Sequence, residues 1–270
     1  MALKFQGCDL AHKWRPDKDD IKGWWMSEKL DGVRAIWDGE NFLSRTGKLF
    51  HAPAWFKDGL PTTKMLDGEL YIGRGLFQKT VGIVRNHRED LDEWQQITYA
   101  VFDAPMVPFG WENRIQIAQE EVKDLTNAIT VTHIQARDAE HVMQVFGDIR
   151  GQGGEGVMLR KPGSMPAFKR TRNLLKVKGV IDGLAVVHSV QPGEGRHAGR
   201  MGALCVFPTE QANGCMMQTN APEFKIGTGF TDADRERKDW VGTIVRWEAH
   251  ELTNDGLPRH SRYIVDYKGD

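Results

Sequence analysis

The stretch "WWMSEKLDGVRAIWDG", Trp24 to Gly39, sets Lys29 among Leu30, Val33, Ala35 and Ile36. Strand-like segments ordinarily keep lysines on their solvated face. This one stands two residues before Asp31 and five before Arg34. An unperturbed lysine has a pKa near 10.4, so only about one molecule in a thousand is neutral at pH 7. Using it as a nucleophile costs roughly 4–5 kcal/mol, which nearby positive charge or burial must offset. On a plain strand Arg34 would face away from Lys29. Asp31-Gly32 is a turn signal, however, and a bend there is expected to bring the two cations toward one another. The plain alternative, a solvated hairpin lysine, is not excluded by this stretch alone.

Outward from it, short apolar runs recur between Gly, Pro and Asp punctuation and read as strands: "VRAIW", "MLDGELYIG", "ITYAVFDAP", "EGVMLRKP" and "NLLKVKG". Helical patterns cover Trp111–Leu125 and Asp138–Phe146, with Asp138 as N-cap. Strands with interspersed helices predict an α+β class. After Lys178, "GVIDGLAVVHSV", "GALCVFPTE", "CMMQTN", "TIVRWEAHEL" and "RYIVDY" give five short strand candidates, which suits a small β-barrel of OB type. The expected domains are therefore residues 1–179 and 180–270.

The 270 residues are 40% hydrophobic and 27% charged, with a net charge of −1, the composition of an ordinary soluble globular chain. No run approaches the roughly 18–20 apolar residues of a membrane helix. The first twenty residues have no apolar core of signal-peptide length. A cytoplasmic location is thus expected if the chain is complete, and a periplasmic one if a signal peptide has been removed. Cys8, Cys205 and Cys215 have no metal-site spacing and read as reduced thiols.

Five pieces carry chemistry: "EKLDGVR" (28–34), "SRTGK" (44–48), "LDGELYIG" (66–73), "GGEGVMLR" (153–160) and "LLKVK" (174–178). "YAVFDAP" (99–105) adds an aromatic in a strand. Glu69 and Glu155 each follow a glycine inside an apolar pattern, where a carboxylate is costly unless paired or metal-bound. Two carboxylates at strand ends beside cations suit Mg²⁺ held between protein and phosphate oxygens. From Leu159 to Lys178 there are seven basic residues and no acidic one. Lys176 and Lys178 alternate with Leu175 and Val177, so both point to one strand face. They would repel one another unless an anion lay between them, and phosphate is the natural candidate. A lysine nucleophile, two metal-ready carboxylates and phosphate-directed cations are the parts for phosphoryl transfer through a lysine adduct.

At these residues the chain resembles the covalent nucleotidyltransferases, the superfamily of DNA ligases, RNA ligases and mRNA capping enzymes. "EKLDGVR" matches its Lys-x-Asp-Gly-x-Arg signature, and the other pieces follow in the family's order over nearly the whole chain. "HAPAWF", "LDGELYIGRGLFQ", "GGEGVMLRKP" and "GRMGALCV" are most similar to minimal bacterial ATP-dependent DNA ligases of the Lig E type. The resemblance implies an adenylation domain followed by an OB domain, and an enzyme that seals nicks in duplex DNA.

It also implies roles. Lys29 would attack the α-phosphate of ATP and carry AMP as a phosphoramidate. Glu28 would border the adenine pocket, and Phe102 would stack on the adenine. Arg34 and Arg45 would hold ribose and phosphate, with Arg45 also near the 5′-phosphate of the nick. Glu69 would contact the ribose or a metal, and Glu155 would be a metal ligand. Lys176 and Lys178 would hold the α-phosphate. Lys161, Lys169, Arg170 and Arg172 would join Arg45 in contacting nicked DNA. ATP and Mg²⁺ are the expected cofactors, with Mn²⁺ substituting, and the chain is expected to be a monomer with no membrane and no obligate protein partner.

With 28 residues ahead of Lys29, the extra N-terminal domain of an NAD-dependent ligase is not expected, so ATP is the donor. The rivals are an RNA ligase or capping enzyme built on the same motifs, and an OB-type nucleic-acid binder with a dead transferase domain. One departure concerns the end of the chain, "GLPRHSRYIVDYKGD". Pro258-Arg259 resembles the start of the family's last basic motif, but its closing Arg-x-Asp is at best Lys268-Gly269-Asp270. Lysine does not replace a bidentate arginine on phosphates, so slow self-adenylation is one expected consequence, with Arg259 or Arg262 as compensators.

Overall fold

The computed structural model describes residues 2–86, 92–179, 181–212, 215–219, 222–249, 251–252 and 257–267. Two compact units result, Met1–Lys178 and Gly179–Asp270. The first runs through β1 (Leu10–Lys13), β2 (Trp25–Lys29), β3 (Val33–Trp37), β4 (Phe42–Ser44), β5 (Leu49–Phe50), α1 (Ala54–Lys57), β6 (Leu66–Tyr71) and α2 (Phe77–Val84). It continues through β7 (Thr98–Asp103), α3 (Trp111–Val122), β8 (Ala128–Thr130), β9 (Ile134–Gln135), α4 (Ala139–Gly151), β10 (Gly156–Arg160) and β11 (Arg170–Lys178).

These strands form two sheets. One is five-stranded in the order β1-β11-β10-β2-β9, the other six-stranded in the order β5-β4-β3-β6-β7-β8. Each buries one face. Behind the second sheet Trp37, Phe42, Phe56, Trp94 and Tyr99 meet one another in tilted and edge-to-face contacts and pack with α2 and α3 residues. Behind the first, Val157, Leu159, Leu175 and Val177 meet the apolar stripe of α4. Strand alternation leaves the opposite faces polar, and they line one cleft of about 920 Å³.

The turn signal at Asp31-Gly32 acts differently from the expectation. β2 and β3 do not pair as a hairpin; they part into different sheets. Gly32 is not among the glycines with positive φ. It is needed because a Cβ there would strike the Leu70 carbonyl and come within 2.8 Å of Glu69 Cγ. Arg34 thus lies on the second sheet, and Lys29 on the first.

Helix α4 carries the expected cap, with the Asp138 carboxylate accepting from the His141 N–H at 2.8 Å. It runs five residues beyond Phe146 because Val145, Phe146 and Ile149 continue its buried stripe. α3 stops at Val122, short of the expected Leu125. α2 lies outside the two helical patterns of the sequence; its β-branched residues lower helix propensity, and burial of Thr80, Ile83 and Val84 at helical spacing decides it.

The second unit contains β12 (Ile181–Pro192), β13 (Met201–Ala212), β14 (Cys215–Gln218), β15 (Phe224–Ile226), α5 (Asp232–Glu236), β16 (Ile244–Ala249), β17 (Glu251–Leu252), β18 (Pro258–Arg259) and β19 (Arg262–Asp266). Its main sheet runs β14-β13-β12-β16-β19, with β15 also on β13. A single parallel bridge, Thr228 to Arg262, carries the segment after β15 round to β19, where a closed barrel would have a ladder. Phe230 stacks on Tyr263 at 4.9 Å beside it. Among the described residues no helix is long and apolar enough to cross a membrane. Cys8 and Cys205 are free thiols; the side chain of Cys215 and residues Lys268–Asp270 lie outside the described residues.

Candidate active site

Register brings the expected residues together. On the first sheet Lys29 and Lys178 both stand opposite Gly156, from the two strands that flank β10. Gly156 is required there, because a Cβ would collide with the Val177 carbonyl. Two residues along, Ser27 and Lys176 flank Met158, and two further along Trp25 and Leu174 flank Arg160. Lys29, Lys178, Ser27, Lys176, Met158, Trp25, Leu174 and Arg160 all line the cleft. The second sheet faces them with Arg34, its partner in register Glu69, and Phe102. The guanidinium of Arg34 lies 5.1 Å from the centre of the Phe102 ring.

The charges are committed in pairs. Glu155 takes Lys29 on Oε2 and Lys178 on Oε1. Burial opposes its ionisation, yet Lys29 and Lys178 hold its carboxyl below the usual carboxylate range. Burial also depresses Lys176, and Lys178 and Lys29 add to that by like-charge repulsion. Glu69 behaves in the opposite way. Burial pushes it up to about 8, against the pull of Lys29 and Arg34. Arg34 donates from Nε to Asp67 at 2.9 Å and from Nη1 to the Asp9 carbonyl at 2.9 Å, and Asp67 holds it firmly as the cation.

A divalent cation finds a limited donor set here. Among the described residues no group of three or more His, Cys, Asp and Glu side chains could hold one. Both Glu155 oxygens are on lysines, so Glu155 can ligate only after one lysine lets go. Glu69 fits better as a single carboxylate completed by phosphate oxygens, the usual manner for Mg²⁺.

The remaining sequence candidates are more dispersed. Glu28 touches the lining, but its carboxylate is held by Arg74 at 2.8 and 2.7 Å, and Arg74 also reaches Gln152 at 2.8 Å. Arg45 projects exposed from the turn after β4 at the cleft margin. Lys161, Lys169, Arg170 and Arg172 are exposed, with Arg172 paired to Asp19 at 2.9 Å and Arg170 donating to the Ala11 carbonyl. In the second unit Arg262 pairs with Glu248 at 3.4 Å.

Sequence reasoning missed Asp67, Arg74, Met158, Arg160 and His133 as parts of the cleft or its supports. For three of them a signal existed: Asp67 is two residues before Glu69, and Met158 and Arg160 are two and four after Gly156, so they share strand faces. Arg74 and His133 lie in loops, where no period places them.

The DNA ligase of Haemophilus influenzae is 30% identical over 269 residues, which is 99% of this chain and 95% of that one. The chain belongs to the DNA ligase family. Residues 192–265 of the ligase match the family model described as the DNA ligase OB-like domain. A solved structure from a structure–function study of Lig E DNA ligases is similar at a TM-score of 0.87 and 29% identity, covering 97% of the ligase and 99% of that chain. A Chlorella virus DNA ligase–adenylate shares the fold at a TM-score of 0.55 and 22% identity, over 98% and 99% of the two chains. The α+β class is therefore that of ATP-dependent ligases, a nucleotidyltransferase unit with an OB-like unit.

Proposed function

We propose that the ligase seals nicks between a 5′-phosphate and a 3′-hydroxyl in duplex DNA at the expense of ATP, through AMP carried on Lys29. The observation that supports it is the alignment of Lys29 and Lys178 on either side of Gly156, facing Arg34 and Glu69 across the cleft. Residues 1–179 act as the adenylation domain and 180–270 as the OB domain.

Lys29 must leave Glu155 and give up its proton before its lone pair can attack. Nζ then bonds to the α-phosphorus of ATP while the bond to the pyrophosphate oxygen breaks, and pyrophosphate carries away the electron pair. In the second step a 5′-phosphate oxygen of the nick attacks the same phosphorus, and Lys29 leaves. In the third, the 3′-hydroxyl attacks the 5′-phosphate, loses its proton, and expels AMP. Every step is an in-line attack at phosphorus, so the protein's contribution is alignment and charge neutralisation. Lys176 and Lys178 stand on one strand face for the phosphate, and Arg34 is fixed by Asp67. A bound divalent cation supplies charge neutralisation on the phosphates; Glu69 would hold it, with Mg²⁺ the natural ion and Mn²⁺ a substitute. The cleft draws its lining residues from Met1–Lys178, and the proposed enzyme is a monomer.

The test is ATP labelled at the α-phosphate, followed by denaturation and a chase with nicked DNA or a nicked RNA duplex. Label that survives denaturation and leaves only for nicked DNA supports the reading. Discharge to RNA alone replaces it with an RNA ligase. Salt-dependent DNA binding with no adduct makes the chain a binder. Lys29→Ala is expected to abolish both label and sealing while the protein stays folded.

A further inference from the structure

The cleft extends from Lys29 along β2, where Ser27, two residues away, stands about 7 Å along the strand at the usual rise. The β2–β9 ladder consists of Trp25–Gln135 and Met26–Ile134, so His133 is the next residue alongside Ser27, where the ladder has ended. Met158 lies across from Ser27 on β10. Phe102 borders the same cleft from the other sheet, and Ser27, Met158, Phe102 and His133 all line it while remaining partly exposed. A nucleotide whose α-phosphate meets Lys29, extended along β2, brings its base to this row.

The imidazole of His133 is fixed. It packs edge-on to the buried ring of Trp111, centroids 4.6 Å apart. Burial pushes its pKa down to about 4; the Val131 carbonyl acts the other way, and Arg160 reinforces burial. The ring is therefore neutral at physiological pH, with one N–H and one lone pair. The Val131 carbonyl favours an N–H on the ring nitrogen nearer to it, and the other nitrogen then keeps its lone pair. Adenine and guanine differ at position 6, an amino donor in one and a carbonyl acceptor in the other. A fixed lone pair attracts the first and repels the second.

We infer that His133 is a specificity-determining residue, its imidazole accepting a hydrogen bond from the exocyclic amino group of the ATP base and so excluding GTP. This rests on the proposed function. A site built to hydrogen-bond a substrate N–H discriminates strongly against an analogue without it. The open edge of β2 also offers backbone groups to the base, so the experiment must isolate the imidazole.

Equilibrium binding without divalent cation, and label on the denatured chain with it, are measured for ATP, GTP and purine riboside triphosphate, which lacks the amino group. The wild type is expected to favour ATP over the purine analogue by roughly tenfold or more. His133→Phe keeps a ring against Trp111 but has no lone pair. It is expected to bind the purine analogue as the wild type does and to lose most of the ATP preference, while His133→Gln, which retains an acceptor, recovers part of it. His133→Phe with an undiminished ATP preference overturns the inference and leaves the ligase reading standing. Equal wild-type binding of ATP and the purine analogue overturns it without any variant. A wild type that neither binds nor is labelled by ATP overturns the ligase reading itself.

Discussion

Lys29 and Glu155 form an ion pair within the cleft, and Glu155 carries Lys178 on its other oxygen. One carboxylate therefore spaces two ammonium groups that flank the same glycine. Glu155→Gln leaves that spacing without its charge. Label transfer to Lys29 should fall by at least about a hundredfold, the scale of losing one oriented charge partner in a preorganised site. The linkage has a definite sign. Because the folded-state value lies below the ordinary 4.5, the pair stabilises the protein above that pH and the benefit is lost as pH falls through the folded value. The melting gap between wild type and Glu155→Gln should therefore be widest near neutrality and close in acid; a gap that widens in acid contradicts the pairing.

Glu69 predicts the opposite trend. Its folded value of about 8 lies above the ordinary 4.5, so the folded state holds a proton that the unfolded chain gives up. Stability then declines as pH rises between those two values. Glu69→Gln removes the decline, and the variant should gain on the wild type across that interval by something on the order of 5 kcal/mol at its upper end. Urea melts at several pH values measure it. Parallel wild-type and variant curves would mean that Glu69 ionises normally.

Gly32 separates two readings of one dipeptide. As a turn residue it would tolerate little but glycine or asparagine through its backbone angle. In the structure its demand is the approach of Leu70 and Glu69. Gly32→Ala should therefore push β6 away and displace Glu69, which faces Arg34 in register. The expected cost is about 1–3 kcal/mol of stability, as for overpacking, with a loss of label transfer. Gly32→Asn, tolerated at a positive-φ turn, should be at least as damaging; an Asn variant milder than Ala would restore the turn reading.

Much of the site could be read from the chain because it lies on strands. The period of two fixes which side Lys176, Lys178 and Glu69 share, and it needs no knowledge of the partner sheet. What the period cannot supply is pairing across sheets. Nothing in "EKLDGVR" shows that β2 and β3 separate, so that Lys29 and Arg34 reach the cleft from different sheets, with Arg34 paired to Asp67. Nor does "GGEGVMLR" reveal that Glu155 faces two lysines, since Lys29 is 126 residues distant. Helix α2 was hidden because its β-branched residues favour strand locally while tertiary burial favours helix.

The buried charges beneath the cleft carry the strongest stability prediction. Arg114, fully buried, grips Asp103 through Nε at 2.7 Å and Nη2 at 3.0 Å, and its Nη1 donates to the carbonyls of Phe109 and Ser164 at 2.9 and 2.8 Å. Arg160 approaches the same Asp103 at 3.3 Å and Asp9 at 3.7 Å, with Nη1 making no hydrogen bond. Removing one member of a buried pair strands the other in a low-dielectric setting, at about 3–5 kcal/mol. Arg114→Met should reach that range in urea melts, because it also strands two carbonyls and unties Phe109 from Ser164. Arg160→Met should cost clearly less, since Asp103 keeps its bidentate partner and Asp9 keeps the Ala167 and Phe168 N–H groups, each at 2.8 Å. The double variant should exceed the sum of the two, because only then is Asp103 left without a cation. Strict additivity would mean that Arg114 alone satisfies Asp103, and that Arg160 serves the cleft and not the fold.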